Sequence, residues 1–321
     1  MTELSRIVEF TARSGGVVVL CGGPGGEREV SLDSGRSVHE ALTRAGLDCR
    51  LVVVPEERPE AFLSSLECAL AVMMLHGEFG EDGAAQAILE ERGIPYTGSD
   101  AAACRLAMDK NATKRKMLER GIPTPRWAVA ANAREAALAV REAELRYPLF
   151  VKPNAGGSSV GTSRVDVPEE LANAVSLTLS VGKEALLEEM VVGRELTVGW
   201  LGGRLLPIIE LDADGVFYDY RAKYKSDKTS YRCPAEVEPH IALAVNKYSA
   251  LLIDAVGARD LARVDLMLGK EGPMVLELNA LPGFTSHSLV PMAAAAAGIS
   301  LEEVCLSLAD MAASRSGGDW Q

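Results

Sequence analysis

Arg263-Val264-Asp265 and Glu277-Leu278-Asn279 set charged or amide side chains two residues apart inside otherwise apolar runs. In a strand, alternate residues share a face, so Arg263 points with Asp265 and Glu277 with Asn279. If the two strands pair, a guanidinium and three oxygen-bearing side chains converge. Hard oxygen donors suit Mg²⁺, which binds through one or two carboxylates together with substrate phosphates. A surface salt-bridge ladder is the alternative reading, but charges at the end of an apolar sheet require compensation.

A second cluster begins at Lys152, which ends an apolar run and precedes the small-residue loop 154–161. Glycines let backbone N–H groups approach phosphate oxygens, and Ser158 and Ser159 add hydroxyl donors. The pattern favours phosphate binding over an ordinary solvent-exposed hairpin. A third glycine-rich stretch, Gly22–Gly26, invites a dinucleotide reading. The G-x-G-x-x-G spacing fails, because Arg28 stands where the last glycine belongs. A tight strand-to-helix turn and an anion contact at a helix N-terminus stay open there. Glu27, beside the turn, is suited to an ammonium group. His76 follows an apolar run and precedes Gly77, a common place for a site residue in parallel sheets.

Elements must position these side chains. Val17–Cys21, Leu51–Val54 and Ala69–Leu75 read as buried strands, with helices expected over Ser31–Ala45 and Gly83–Arg92. That β-α-β alternation predicts a parallel sheet in a first domain, residues 1–98. A basic helix over Asp109–Arg120 and strands at Leu149–Lys152 and Leu186–Met190 outline a central lobe, residues 99–192. The last lobe, 193–321, carries a hairpin of Glu195–Trp200 with Arg204–Leu211, a helix over Pro239–Val256, and strands at Ala262–Leu268 and Met274–Leu278. Between them, the polar, Tyr- and Lys-rich stretch 215–234 reads as a lid.

Composition narrows the function. With 33 Lys plus Arg against 45 Asp plus Glu, the formal charge of −12 argues against non-specific nucleic-acid binding. Six scattered cysteines form no CxxC pair, so reduced thiols are expected. The N-terminus does not have a signal-peptide pattern and no apolar run reaches membrane-spanning length, so a cytoplasmic location is expected.

In order, the motifs Gly26–Ser31, Leu75–Gly77, Gly80–Gly83, Pro95–Gly98, Met108–Lys110, Val151–Pro153, Gly157–Gly161, Phe217–Tyr220, Ala222–Tyr224, Arg263–Asp265, Glu277–Asn279 and Pro282–Ser288 span nearly the whole chain. Together they resemble the ATP-grasp enzymes, and within them the D-alanine–D-alanine ligase family. The resemblance implies an α/β, three-domain ATP-grasp architecture: an N-terminal parallel-sheet domain and two α+β lobes enclosing ATP. It implies a D-alanyl phosphate intermediate, peptidoglycan precursor synthesis and a homodimer.

It also implies roles. Lys110 and Lys152 contact ATP phosphates, with Ser158 and Ser159 in the phosphate loop. Glu188, Glu189, Val191 and Glu195 line the adenosine pocket. Asp265, Glu277 and Asn279 hold two Mg²⁺ or Mn²⁺ ions. Glu27 receives the first D-alanine's ammonium, with His76 near its carboxylate. Arg263 stabilises the acyl phosphate and the tetrahedral intermediate. Ser158 and Tyr224 join Glu27 in a hydrogen-bonded network, while Lys223 and Ser288 meet the second substrate's carboxylate, and Lys223 also the transferring phosphate. Ala155-Gly156 and Ala280 depart from the family's commoner residues without removing a named ligand. Acceptors such as D-lactate or D-serine remain an alternative, and Tyr224 favours an amine, because depsipeptide-forming relatives often carry phenylalanine there.

Overall fold

The computed structural model describes residues 3–13, 15–157, 160–212, 230–285 and 287–315. Ser158, Ser159, Lys223, Tyr224 and most of the expected lid lie outside them. Among the described residues, no single helix is long and apolar enough to cross a membrane.

Three sheets organise the chain. The first is parallel, in the order β2 (Cys49–Val54), β1 (Val17–Gly22), β3 (Leu70–Met73). Every residue of β1 and β3 is buried, as expected for parallel strands covered on both faces. Helices α1 (Glu3–Thr11) and α2 (Arg28–Arg44) precede and follow β1, and α3 (Pro59–Ser65) and α4 (Ala84–Glu91) complete this part of the fold. Helix α2 starts three residues before the expected Ser31. The Ser31 hydroxyl is not spent on an N-cap: it accepts from the Gly22 amide at 2.8 Å and donates to the Met74 carbonyl at 2.5 Å, joining the ends of β1 and β3. Arg28, the residue that spoils the dinucleotide spacing, donates to the Gly23 and Val54 carbonyls at 2.8 and 3.0 Å. It clamps the glycine turn shut.

The second sheet is antiparallel, in the order β4 (Trp127–Ala130), β7 (Ala185–Glu189), β5 (Leu149–Pro153), β6 (Ser163–Val165). One face packs under α7 (Ala133–Glu142) and α8 (Leu171–Leu179) through Leu149, Val151, Ala185 and Leu187. The other face carries Trp127, Phe150, Lys152 and Glu188, because residues opposite each other in register share a side.

The third sheet has six strands. Its path is β11 (Ser230–Arg232), β10 (Ile209–Asp212), β8 (Arg194–Leu201), β12 (Leu261–Gly269), β13 (Gly272–Asn279), with β9 (Arg204–Leu205) also on β8. The expected hairpin forms, but its return strand is broken at Pro207, which has no N–H to offer the ladder. The last residues of the expected lid form β11, paired with β10. Leu196, Val198, Val264, Leu266 and Leu278 pack beneath α9 (Pro239–Val256), together with α5 (Ala101–Met108) and α6 (Lys110–Glu119).

The chain ends by returning to its beginning. Helices α10 (Leu289–Ala296) and α11 (Leu301–Ser314) bury Val290, Ala293, Val304 and Leu308 in one core with Ile7, Phe10, Val19 and Val72. Arg315 closes this joint: its guanidinium meets both Asp260 oxygens at 2.6 Å, and Asp260 also accepts from the Gly98 amide at 2.8 Å. All six cysteines are free.

Candidate active site

The antiparallel register of β12 and β13 sets Arg263 opposite Asn279 and Asp265 opposite Glu277. The convergence expected from the spacing is therefore real. A bulge between Asp265 and Leu266 shifts the register immediately beyond these pairs. Across β8, Asp265 faces Thr197, whose hydroxyl donates to its Oδ1 at 2.6 Å. Arg263 grips the same carboxylate with two parallel bonds, 2.9 Å to Oδ1 and 2.8 Å to Oδ2. Asn279 Oδ1 accepts from the Leu281 amide at 3.0 Å, which fixes the amide's orientation beside the buried Ala280. Glu195, two residues before Thr197, shares this face.

Helix α6 aims two lysines at this region from one side, since positions four apart stack on a helix face. Lys110 Nζ donates to the Gly156 carbonyl at 2.6 Å and lies 3.5 Å from Glu277 Oε2. It thus joins the Gly/Ser loop after β5 to the acidic pair on the third sheet. Asn154 braces that loop, donating to Asp109 at 3.0 Å and accepting from the Asn111 amide at 2.8 Å.

Lys114, which sequence reasoning missed, is completely buried. It forms an ion pair with Glu188 Oε1, and Lys152 Nζ donates to Oε2 of the same carboxylate at 2.8 Å. Burial pushes the Glu188 carboxyl up, but the two ammonium groups together hold it below its ordinary value. Burial also pushes Lys152 down, and Glu188 and Glu277 more than offset it, leaving Lys152 raised. For Lys114 burial wins and the ammonium is lowered. Nothing in the sequence marks Lys114 beyond its position four residues after Lys110.

The structure separates two residues that the resemblance assigns together. Glu188 faces Lys152, whereas Glu189 points to the other side of β7 and accepts from the Arg146 amide at 2.8 Å. Val191, half-buried, lies just past the strand.

Glu27 caps α2 without a side-chain cap bond. Its carboxylate lies between two glycines: a Cβ on Gly77 would fall 2.6 Å from Glu27 Oε2, and one on Gly157 would fall 3.3 Å from it. The loop that leads to Ser158 therefore reaches Glu27. His76 is buried, with Nε2 2.9 Å from the Ser34 hydroxyl and Nδ1 3.5 Å from Glu81. Ser34 also accepts from the Phe284 amide at 3.1 Å. Ser288 accepts from the Thr285 amide at 2.8 Å, and both Ser288 and His76 flank Gly283, whose absent Cβ would lie 3.0 and 3.9 Å from them. His76 and Ser288, remote in sequence, thus line one corner.

The family profile for the D-ala D-ala ligase C-terminus matches residues 117–310. The chain is 43% identical over 303 residues to the D-alanine–D-alanine ligase of Pseudomonas entomophila, covering 94% of each. It is 40% identical over 319 residues to that of Hydrogenovibrio crunogenus, covering 96% of this chain and 98% of the relative. The chain belongs to the D-alanine–D-alanine ligase family. Among solved structures, the D-alanine–D-alanine ligase from Bacillus anthracis complexed with ATP superposes with a TM-score of 0.82 at 31% identity, covering 94% of this chain and 97% of that one. The VanG D-Ala:D-Ser ligase from Enterococcus faecalis gives 0.79 at 28% identity, covering 92% and 98%. As in this ligase family, the architecture is the α/β three-domain ATP-grasp fold.

Proposed function

We propose that this chain carries out the ATP-dependent joining of two D-alanine molecules to D-alanyl-D-alanine, the ligase activity of the family and a step in peptidoglycan precursor synthesis, through the side chains named below. The observation that carries the assignment of roles is Lys110. Its ammonium touches both the Gly/Ser loop and Glu277, so the phosphate-binding element of one sheet and the oxygen ligands of another meet at one point.

In this reading the first D-alanine docks its ammonium on Glu27, and its carboxylate lies near His76. That carboxylate attacks the γ-phosphorus of ATP, forming the acyl phosphate and releasing ADP. Lys110 and Lys152 hold the phosphates and offset the repulsion between two anions. The free amine of the second D-alanine, anchored by Ser288 and Lys223, then attacks the acyl carbon. Arg263 stabilises the oxyanion that develops, and phosphate leaves as the amide forms. Ser158 and Tyr224 complete the Glu27 network, Ser159 the phosphate loop, and Glu188, Val191, Glu195 and the backbone of Glu189 the adenosine side. The segment 215–234 serves as the cover that keeps water from the acyl phosphate.

Asp265, Glu277 and Asn279 fit a magnesium or manganese site: they are hard oxygen donors on one sheet face, opposite a phosphate-binding loop. Among the described residues no three His, Cys, Asp or Glu side chains form a metal-binding group. Bound divalent ions supply charge compensation at the phosphate oxygens. Domain limits at 98 and 192, a homodimer and a cytoplasmic location complete the reading.

The test is product identification after incubation with ATP, Mg²⁺ and a panel of D- and L-amino acids and hydroxy acids. ADP, phosphate and D-alanyl-D-alanine are expected. D-Serine and D-lactate belong in the panel, and a dominant D-alanyl-D-serine or ester product would overturn the acceptor assignment while leaving the first half-reaction standing. No ADP release on adding D-alanine would overturn both.

A further inference from the structure

One carboxylate, Glu188, is held by two lysines that differ in what they can do. Lys114 is sealed: its side chain is 0% exposed, its ammonium donates to Thr124 Oγ1 at 2.5 Å, and it lies 5.3 Å from the centre of the Trp127 ring. Its side chain is closed off from solvent. Lys152 sits at the rim, 14% exposed, on the sheet face that carries Phe150 and Trp127, 2.8 Å from Glu188. At Glu188 itself two ammonium groups face one carboxylate, so one of them is surplus there.

We propose that Lys114 is a positioning residue, a fixed counter-ion that keeps Glu188 neutralised when Lys152 leaves it for the nucleotide phosphates. The inference rests on the reading of Lys152 as a phosphate ligand. The physical argument concerns the state after Lys152 has moved. A buried carboxylate stripped of its partner is strongly unfavourable. Were Lys152 the sole partner of Glu188, each binding event would have to break a neutral buried pair and strand a carboxylate. With Lys114 in place, the Glu188 charge stays matched through the whole cycle, and the mobile ammonium is the surplus one. The trio therefore works as an asymmetric clamp, one arm permanent and one exchangeable. Lys114 touches neither substrate nor reacting atoms; it acts through Glu188 on Lys152.

A double-mutant cycle on the full-length chain tests this, using calorimetric titration with Mg²⁺ and a non-hydrolysable ATP analogue, steady-state kinetics, and thermal denaturation to verify folding. Lys114→Met, similar in shape but uncharged, is expected to weaken the analogue at least tenfold and to raise KM for ATP far more than it lowers kcat. Adding Glu188→Gln removes the trap for Lys152. That substitution is expected to help the Lys114→Met protein at least tenfold more than it helps the wild type, whatever other contact Glu188 makes. A folded Lys114→Met protein with wild-type affinity overturns the proposal. So does a loss of affinity that shows no coupling to Glu188→Gln, since a packing defect would not be repaired there. If Lys114→Met fails to fold, Lys114→Gln, which keeps a hydrogen-bond donor without the charge, is read by the same criteria. Lys152→Met separates the two layers: unchanged nucleotide affinity in that variant rejects the phosphate-ligand reading itself, whereas weakened affinity there with an uncoupled Lys114 rejects only the counter-ion role.

Discussion

Asp265 and Glu277 are direct register partners on neighbouring antiparallel strands, two carboxylates opposite each other on one face of a sheet. Like charges directly opposite are destabilising in a ladder. Here each carboxylate has a cation beside it. Asp265 is gripped by Arg263 and Thr197, while the Lys110 ammonium lies 3.5 Å from Glu277. Glu277 also has the more exposed side chain, 31% against 11% for Asp265. Glu277, the more exposed of the two, lies beside the Lys110 ammonium that also holds the phosphate loop, where an arriving cation would meet it.

Glu277→Gln keeps the shape of the side chain and removes its charge. Turnover is expected to fall by a hundredfold or more at ordinary Mg²⁺, with the melting temperature nearly unchanged or slightly raised by relief of the opposition to Asp265. Wild-type turnover in that variant would sink the metal-ligand assignment.

Arg263→Met removes a donor for charge that develops only after attack. Loss of one such donor costs about 3–4 kcal/mol of barrier, a factor of 10²–10³ in rate. ATP affinity is expected to change far less than kcat.

Gly77→Ala probes the Glu27 position. Gly77 has a φ of +71°, and an added Cβ would lie 2.6 Å from Glu27 Oε2. The substitution combines backbone strain of about 1 kcal/mol with displacement of the carboxylate. The KM for the first D-alanine is expected to rise at least tenfold, with that for ATP nearly constant. Equal changes in both would point to loss of fold and not to a displaced ammonium receptor.

Acid stability is expected to depend on Glu210. Arg194 meets both its oxygens, at 2.6 and 2.7 Å, and these bonds hold the carboxyl below its ordinary value of 4.5 despite the opposing effect of burial. A depressed carboxyl contributes stability above its unfolded value and loses it as pH falls through the lower folded value. Melting temperature measured from pH 7 downward should therefore drop below about 4.5, by an amount corresponding to about 1 kcal/mol for this half-exposed partner. Glu210→Gln should lower the plateau and flatten that acid limb.

The chain's order of motifs by itself determined the family, the parallel first sheet and most candidate residues. The reason is local: a strand's alternation places Arg263 with Asp265 and Glu277 with Asn279 whatever surrounds them. Apolar runs likewise announced β1, β3, β5 and β12, and α9 has the expected bounds, Pro239–Val256. Side-chain partners over long sequence distances were not legible. Ser31, the expected first residue of a helix, lies inside α2 and bonds Gly22 and Met74. Glu188 and Glu189 look equivalent in sequence, yet one residue of pleat sends them to opposite faces. Lys114 resembles any other lysine of a basic helix. Only the tertiary structure buries it and brings it from α6 to Glu188 on β7, because the environment of a buried charge is composed by elements distant in the chain, and its fate there is decided by whether an opposite charge is waiting.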